Sequence, residues 1–185
     1  MHAFTMSGYS RATTIMHWVM AALFVFMLLT GFLVPYLPDT VSYRWIIRES
    51  HESFGLLVIP LVLVRLAIRV ITGAPTKSHD VPSWVFWLSR AVHIGFYVLM
   101  FTLPITGYLV ALPYGIAFFS VYLINHLPDS LNALLWLSRE PDFYLAGLAS
   151  YAHTIMAMTL ASMLALHVIG ALLHHYPNTI RSHSV

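Results

Sequence analysis

The sequence predicts an all-α integral membrane protein, a four-helix bundle with a short interfacial helix between its third and fourth spans. Three observations predict it. Hydrophobic residues make up 59% of the chain and charged ones only 9%, with a mean hydropathy of +0.77, whereas a soluble domain carries about a quarter charged residues. A soluble domain of 185 residues could not hide so much apolar side chain, because much of its surface must face water. Four stretches are long enough to cross the hydrocarbon core, which takes about 20 mostly apolar residues per helix. Proline or glycine then punctuates each stretch.

The whole chain, 1–185, reads as one membrane domain. The first span covers about 15–36 and is closed by Pro35 and Pro38. The second covers about 51–71, before Gly73 and Pro75. The third covers about 91–112, before Pro113 and Gly115, and the fourth about 151–176, before Pro177. Breakers placed this way end helices. Pro60 and Pro104 fall inside spans, where a local kink is expected and tolerated. The segment 113–150 is aromatic (Phe118, Phe119, Tyr122, Trp136) but interrupted by Pro113, Pro128 and Pro141. A short helix over 129–138 is expected to lie in the headgroup layer, which favours Trp and Tyr. A fifth span through this segment is the alternative.

Orientation follows from loop Lys and Arg. Four spans put both termini and the loop between spans two and three on one side, with Arg11, Arg65, Arg69, Lys77, Arg90 and Arg181. The other side has Arg44, Arg48 and Arg139. The richer side is expected to be cytoplasmic, with both termini. No cleaved signal peptide is expected, since the first apolar stretch is long and has no small-residue cleavage site before Tyr36.

The chain has no cysteine, which excludes disulfides, iron–sulfur ligation and thioether-attached haem. A dispersed formal charge of +2, without a basic run, argues against nucleic acid. No glycine-rich phosphate loop and no internal repeat is evident. Histidine is the abundant chemical group, 11 residues against 7 acids. Ionisable residues inside spans are costly and usually functional. His17, His51, His93, His153 and His167 lie within spans or at their ends, and His174 and His175 close the last one.

His153 and His167 are fourteen residues apart, nearly four whole turns, so both project from one helical face about 21 Å apart along the axis. One helix can thus supply a ligand at each of two depths. His17 matches His167 in depth near the inner end, and His51 matches His153 at the outer end. Two bis-imidazole sites suit two low-spin b-type haems, and iron in each would be held by His17 with His167 and by His51 with His153. Copper or another metal on the same imidazoles, or a proton relay, is the alternative. His93 lines a quinone pocket, bonds a haem propionate, or is an interface histidine. His174 and His175 assist quinone protonation or simply sit at the interface. Arg65 and Arg69 share a face and either bind haem propionates or anchor the helix on the positive side. Arg44 and Arg48 also share a face and could steer a small anion to the outer site, although Glu49 and Glu52 dilute their field.

The ordered set SRATTIMHW from Ser10, HESFGLLVIPLVLVRLAIR from His51, HIGFYVLMFTLPITGYL from His93, and AHTIMAMTLASMLALHVIGALLHHY up to Tyr176 resembles the bacterial di-haem cytochrome b561 family. That family is related to the cytochrome b subunits of nickel–iron hydrogenases and formate dehydrogenases. The resemblance covers nearly the whole chain except 113–150. It implies a bundle in the bacterial inner (plasma) membrane with haem b at both depths, on His17, His51, His153 and His167. It further implies exchange of electrons with quinone, and at least one stand-alone group oxidises superoxide outside and reduces ubiquinone. The expected function is therefore di-haem electron transfer from superoxide to ubiquinone. The alternatives are an electron-transfer subunit docked to a dehydrogenase or hydrogenase partner, a redox protein, and a non-haem metal or proton transporter. Membrane lipid surrounds the chain in every case.

Overall fold

The structure is a computed structural model that describes residues 10–40, 42–73, 82–111, 114, 116–123 and 143–181, of which 116, 117, 122, 123, 143 and 173–181 by backbone alone. Four long helices dominate it: α1 (Arg11–Leu33), α2 (Ser42–Thr72), α3 (Ser83–Ala111) and α4 (Phe143–Arg181). Each contains a segment long and apolar enough to cross a membrane. α1 packs on α2, α2 on α3, and α3 on α4. The start of α1 meets the end of α2 through the Thr13 and Thr72 hydroxyls, 3.4 Å apart. This end is called lower, and the end with Tyr36, Ser42 and Ala111 upper.

Local chemistry sets the ends. The Ser10 hydroxyl accepts a bond from the Thr13 amide at 3.2 Å and caps α1, satisfying a donor that the helix cannot. Pro35 lies in a 3-10 turn, Val34–Tyr36, that closes α1, since proline has no amide hydrogen for a further turn. Gly73 has φ 73°, the left-handed conformation that ends helices cheaply only at glycine. α2 and α3 run on through Pro60 and Pro104. Helix α2 begins at Ser42 and not near His51, and α3 and α4 likewise start before their predicted apolar stretches. The first turns of α2 and α3 hold polar residues, among them Arg44, Arg48, Ser89 and Arg90, that span prediction excludes but helices accept.

The core is one apolar layer at mid-depth: Met20 and Phe24 of α1, Val58 and Val62 of α2, Leu99 and Leu103 of α3, and Leu160 of α4. Large apolar side chains such as Trp18, Leu29, Val70, Ile71, Leu166 and Leu172 point outwards. That inversion belongs to a bundle solvated by lipid, which is as apolar as leucine. Trp84 and Trp87 are exposed at the lower end, and Tyr43, Trp45, Tyr144 and Tyr151 at the upper, where amphipathic rings favour the headgroup layers.

The segment after α3 holds an element the sequence did not predict, an antiparallel hairpin of β1 (Ile116–Phe118) and β2 (Val121–Leu123). Its turn residues Phe119 and Ser120 both have positive φ, a conformation costly to side chains with a Cβ. Helix α2 holds that turn. Ser53 accepts from the Phe119 amide at 2.9 Å, the Glu49 carboxylate accepts from the Ser120 amide, and Phe119 packs edge-on against Phe54. Glu49 and Ser53 are accordingly 8% and 0% exposed. The expected interfacial helix over 129–138 lies outside the described residues.

Candidate functional site

Two clefts open between the helices, one at each depth. The upper holds about 670 Å³ of atom-free space and is lined by His51, His153, Gly55, Gly107, Phe24 and Leu160 among others. The lower holds about 580 Å³ and is lined by His17, Arg65, His93, His167, Phe24 and Leu160 among others. Phe24 and Leu160 line both clefts and so form the wall between them. Leu160 lies seven residues from both His153 and His167.

In the upper cleft the rings of His51 and His153 have centroids 6.3 Å apart. The Thr30 hydroxyl donates to the Phe26 carbonyl at 2.8 Å, so its oxygen accepts from His51 Nδ1 at 2.9 Å. His153 Nδ1 faces the Leu103 carbonyl at 3.1 Å and the Thr106 hydroxyl at 3.0 Å. A carbonyl can only accept, so Nδ1 carries the proton. Both rings therefore keep Nε2 as a lone-pair donor. Such bonding fixes the tautomer and orientation of a metal-binding imidazole.

Glycine makes room for these rings. A Cβ at Gly31 would lie 2.9 Å from His51 Cε1, and one at Gly107 would lie 3.2 Å from His153 Cε1. Thr30–Gly31 and Thr106–Gly107 are thus the same device used twice. In each, the hydroxyl holds Nδ1 and the next residue yields space to Cε1.

In the lower cleft His17 and His167 have centroids 6.5 Å apart. His167 also meets His93 at 5.9 Å and Phe96 at 5.5 Å, both edge-on. His93 donates from Nδ1 to the Ser89 carbonyl at 2.6 Å. Arg65 Nη2 lies 3.3 Å from His17 Nδ1. Arginine only donates, so His17 Nδ1 accepts, the reverse of the upper pair. Metal binding through Nε2 therefore requires Arg65 to turn Nη2 elsewhere. Its Nε and Nη1 are buried and have no hydrogen-bond partner among the described residues, an arrangement that invites a carboxylate. Arg69, one turn further down α2, is half-buried and does not line the cleft.

The separations carry chemical meaning. A ring nitrogen binds a first-row metal at about 2.0–2.1 Å, and lies about 1.1 Å from its own ring centroid by covalent geometry. Two imidazoles on opposite sides of one metal thus have centroids about 6.2–6.4 Å apart; the upper pair falls within this span and the lower pair just beyond it. Both pairs also join helices outside the main packing contacts, α1 with α4 and α2 with α4, which leaves breadth for a flat group. Among the described residues no cluster of three or more His, Asp or Glu is placed to hold a bare metal ion.

The two helical hairpins repeat one register, which composition did not reveal. His17 precedes Thr30 by thirteen residues, as His93 precedes Thr106. Arg65 follows His51 by fourteen, as His167 follows His153. Hence α1–α2 and α3–α4 carry corresponding sets: His17, Thr30, Gly31, His51 and Arg65 against His93, Thr106, Gly107, His153 and His167. The repeat is one of positions, and arginine stands where the other half has histidine.

The two upper arginines both have acid partners. Arg44 pairs with Asp39, and Arg48 with Glu52 at 2.8 Å while lying 5.8 Å from the Tyr114 ring. The side chains of His174 and His175 lie outside the described residues. Sequence reading missed Thr30, Thr106, Gly31 and Gly107, although the recurrence of Thr-Gly thirteen residues after a span histidine was available as a signal.

A four-helix membrane bundle with facing imidazoles at two depths is the architecture of a membrane electron-transfer cytochrome of the b type. The chain belongs to the prokaryotic cytochrome b561 family, whose model matches residues 8–182. It is similar to cytochrome b561 homolog 2 of Escherichia coli (strain K12), 25% identical over 172 residues, covering 93% of this chain and 87% of that one. Cytochrome b561 homolog 1 of the same organism is 25% identical over 175 residues, covering 92% of each. A Yersinia pestis protein named "Probable superoxide oxidase CybB" is 25% identical over 135 residues, covering 73% of this chain and 71% of that one. The chain is thus a bacterial integral membrane protein of electron transfer, in a family that binds haem b.

Proposed function

We propose that the chain carries two haem b, one held by His17 and His167 and one by His51 and His153, and moves electrons from superoxide at its upper face to ubiquinone. The observation that carries this reading is the pair of ring separations, 6.5 and 6.3 Å, close to what two imidazoles sharing one metal require. The two imidazoles of each pair would hold the iron of one haem. The chain's own groups fit one: glycines beside the upper rings, unpaired Arg65 nitrogens for a propionate below, and apolar cleft walls. Haem b, when bound, supplies one-electron redox chemistry at its iron.

The residues do the rest. Thr30 and Thr106 hold the upper imidazoles in the tautomer that offers Nε2. Arg65 takes a propionate and Arg69 adds positive charge beside it. Phe24 and Leu160 keep water from joining the two clefts. The lower end, richer in arginine, faces the cytoplasm of the inner-membrane protein, with both termini. His93 and His174 at that end are the groups able to pass protons to a quinone.

The balance is fixed by the substrates. Each superoxide gives up one electron and leaves as dioxygen. Ubiquinone gains two electrons and two protons to become ubiquinol, so two superoxides serve one quinone. A similar protein named as a probable superoxide oxidase supports this donor. Arg44 and Arg48 attract the anion only as far as their ion pairs allow. That predicts a modest salt dependence of rate.

The test is to mix purified holoprotein with a superoxide source and record the haem spectrum. Prompt reduction, with ubiquinone then reoxidising the protein, is expected. Reduction by quinol but not by superoxide would move the donor to a redox protein partner. A preparation without Soret absorbance despite ample haem would end the haem reading.

A further inference from the structure

The two clefts differ in charge. Arg65 in the lower one keeps two buried, unpaired nitrogens and touches His17 at 3.3 Å. Among the described residues no carboxylate lines that cleft. In the upper cleft the charged lining residue is Glu52, paired with Arg48, and Glu49, one turn earlier, is buried against the Phe119–Ser120 turn. Arg65 also breaks the repeat between the two helical hairpins, standing where the other half places His167. The chain thus put a permanent cation at a position that could have held a neutral ring.

Charge beside an iron centre moves its reduction potential. A guanidinium remains protonated throughout the accessible pH range. Buried in a low-dielectric cleft, it favours the state carrying the extra electron, and salt screens it little. Propionates bring the same charge to both depths, so the difference between them rests on the chain. Among the described residues the other lower-end cations, Arg11, Arg69 and Arg90, line neither cleft.

We propose that Arg65 sets the lower centre at the higher reduction potential, so that an electron received at the upper centre passes downhill to the lower one. This rests on the two-haem reading and adds its direction. Glu52 acts in the same sense from above, by holding the upper potential down. Arg65 is here a positioning residue for charge.

The experiment is a spectroscopic redox titration of the holoprotein, with His17→Ala and His51→Ala assigning each wave to its depth. Two one-electron waves are expected, the higher one missing in His17→Ala. Arg65→Gln should lower that wave and shift electron sharing towards the upper centre by tenfold or more, or 59 mV for one electron. Arg65→Lys, which keeps the charge, should restore most of the gap. Glu52→Gln should narrow the gap from the other side, and it decides alone if Arg65→Gln fails to retain lower haem. A lower centre at equal or lower potential overturns the proposal. So does an unmoved gap in Glu52→Gln, or in an Arg65→Gln that keeps its haem. If neither histidine variant removes a separate wave, the failure lies in the two-haem reading instead.

Discussion

The upper and lower histidine pairs have nearly equal ring separations but are held by different means. Above, both rings are tethered at Nδ1 by neutral acceptors and seated against glycine. Below, His17 meets a cation, and His167 touches only other rings, with no hydrogen bond among the described residues. One repeated helical hairpin therefore yields a rigid site and an electrostatically biased one. The difference teaches that the geometry of a ring pair can be duplicated while its environment diverges.

The strongest way to break this comparison is to remove ligands. His51→Ala or His153→Ala should abolish the upper haem and spare the lower, while His17→Ala or His167→Ala should do the opposite. Haem content and redox difference spectra report it. Any substitution that removes both haems in a folded protein contradicts two independent sites.

Next comes the seating of the rings. Gly31→Ala places a methyl 2.9 Å from His51 Cε1, so the ring must move and upper haem occupancy should fall sharply. Gly107→Ala, at 3.2 Å, should do so less. Gly170→Ala, on the lower half of α4 with nothing within 4 Å, should leave both spectra unchanged.

The tethers come third. Thr30→Val removes the hydroxyl acceptor of the His51 N–H, and loss of such a partner costs about 10–100-fold in metal-site affinity; Thr106→Val should cost less, because His153 keeps the Leu103 carbonyl. Haem titration should show the loss at the upper site alone. The smallest effect is expected from the hairpin. Ser53→Ala leaves a buried amide unpaired at a cost of about 1–3 kcal/mol. Hydrogen exchange over 116–123 should quicken while haem content holds, because Ser53 lies on the face of α2 away from His51.

Much of this was legible from spacing. The fourteen residues between His153 and His167 make nearly whole turns, so sharing a face follows from helix geometry alone. The partners His17 and His51 followed from depth, since each span must run from one face of the bilayer to the other. The devices around the rings were not legible. Threonine in a membrane helix normally bonds its own backbone, as Thr30 also does, and only the packing of α1 on α2 brings its oxygen to His51. Glycine in a span reads as a weak spot until a neighbour's side chain fills its place. The hairpin escaped because its turn is Phe119–Ser120, with neither glycine nor asparagine at positive φ. Buried side chains of α2, distant in sequence, hold it. Arg48 and Glu52 are an i,i+4 pair within α2 and so readable from spacing, whereas Arg44 meets Asp39 only through the turn before that helix.

The wall that Phe24 and Leu160 build between the clefts has a bioenergetic consequence. With Met20, Val58, Val62, Leu99 and Leu103 it forms a layer whose fully buried side chains, among the described residues, are all apolar. Such a layer gives water and protons little foothold. An electron relayed between the two clefts would then cross it without an accompanying proton. A full crossing of the bilayer couples to the membrane voltage by about 2.3 kcal/mol per charge per 100 mV. Turnover in sealed vesicles should therefore be sensitive to an imposed potential.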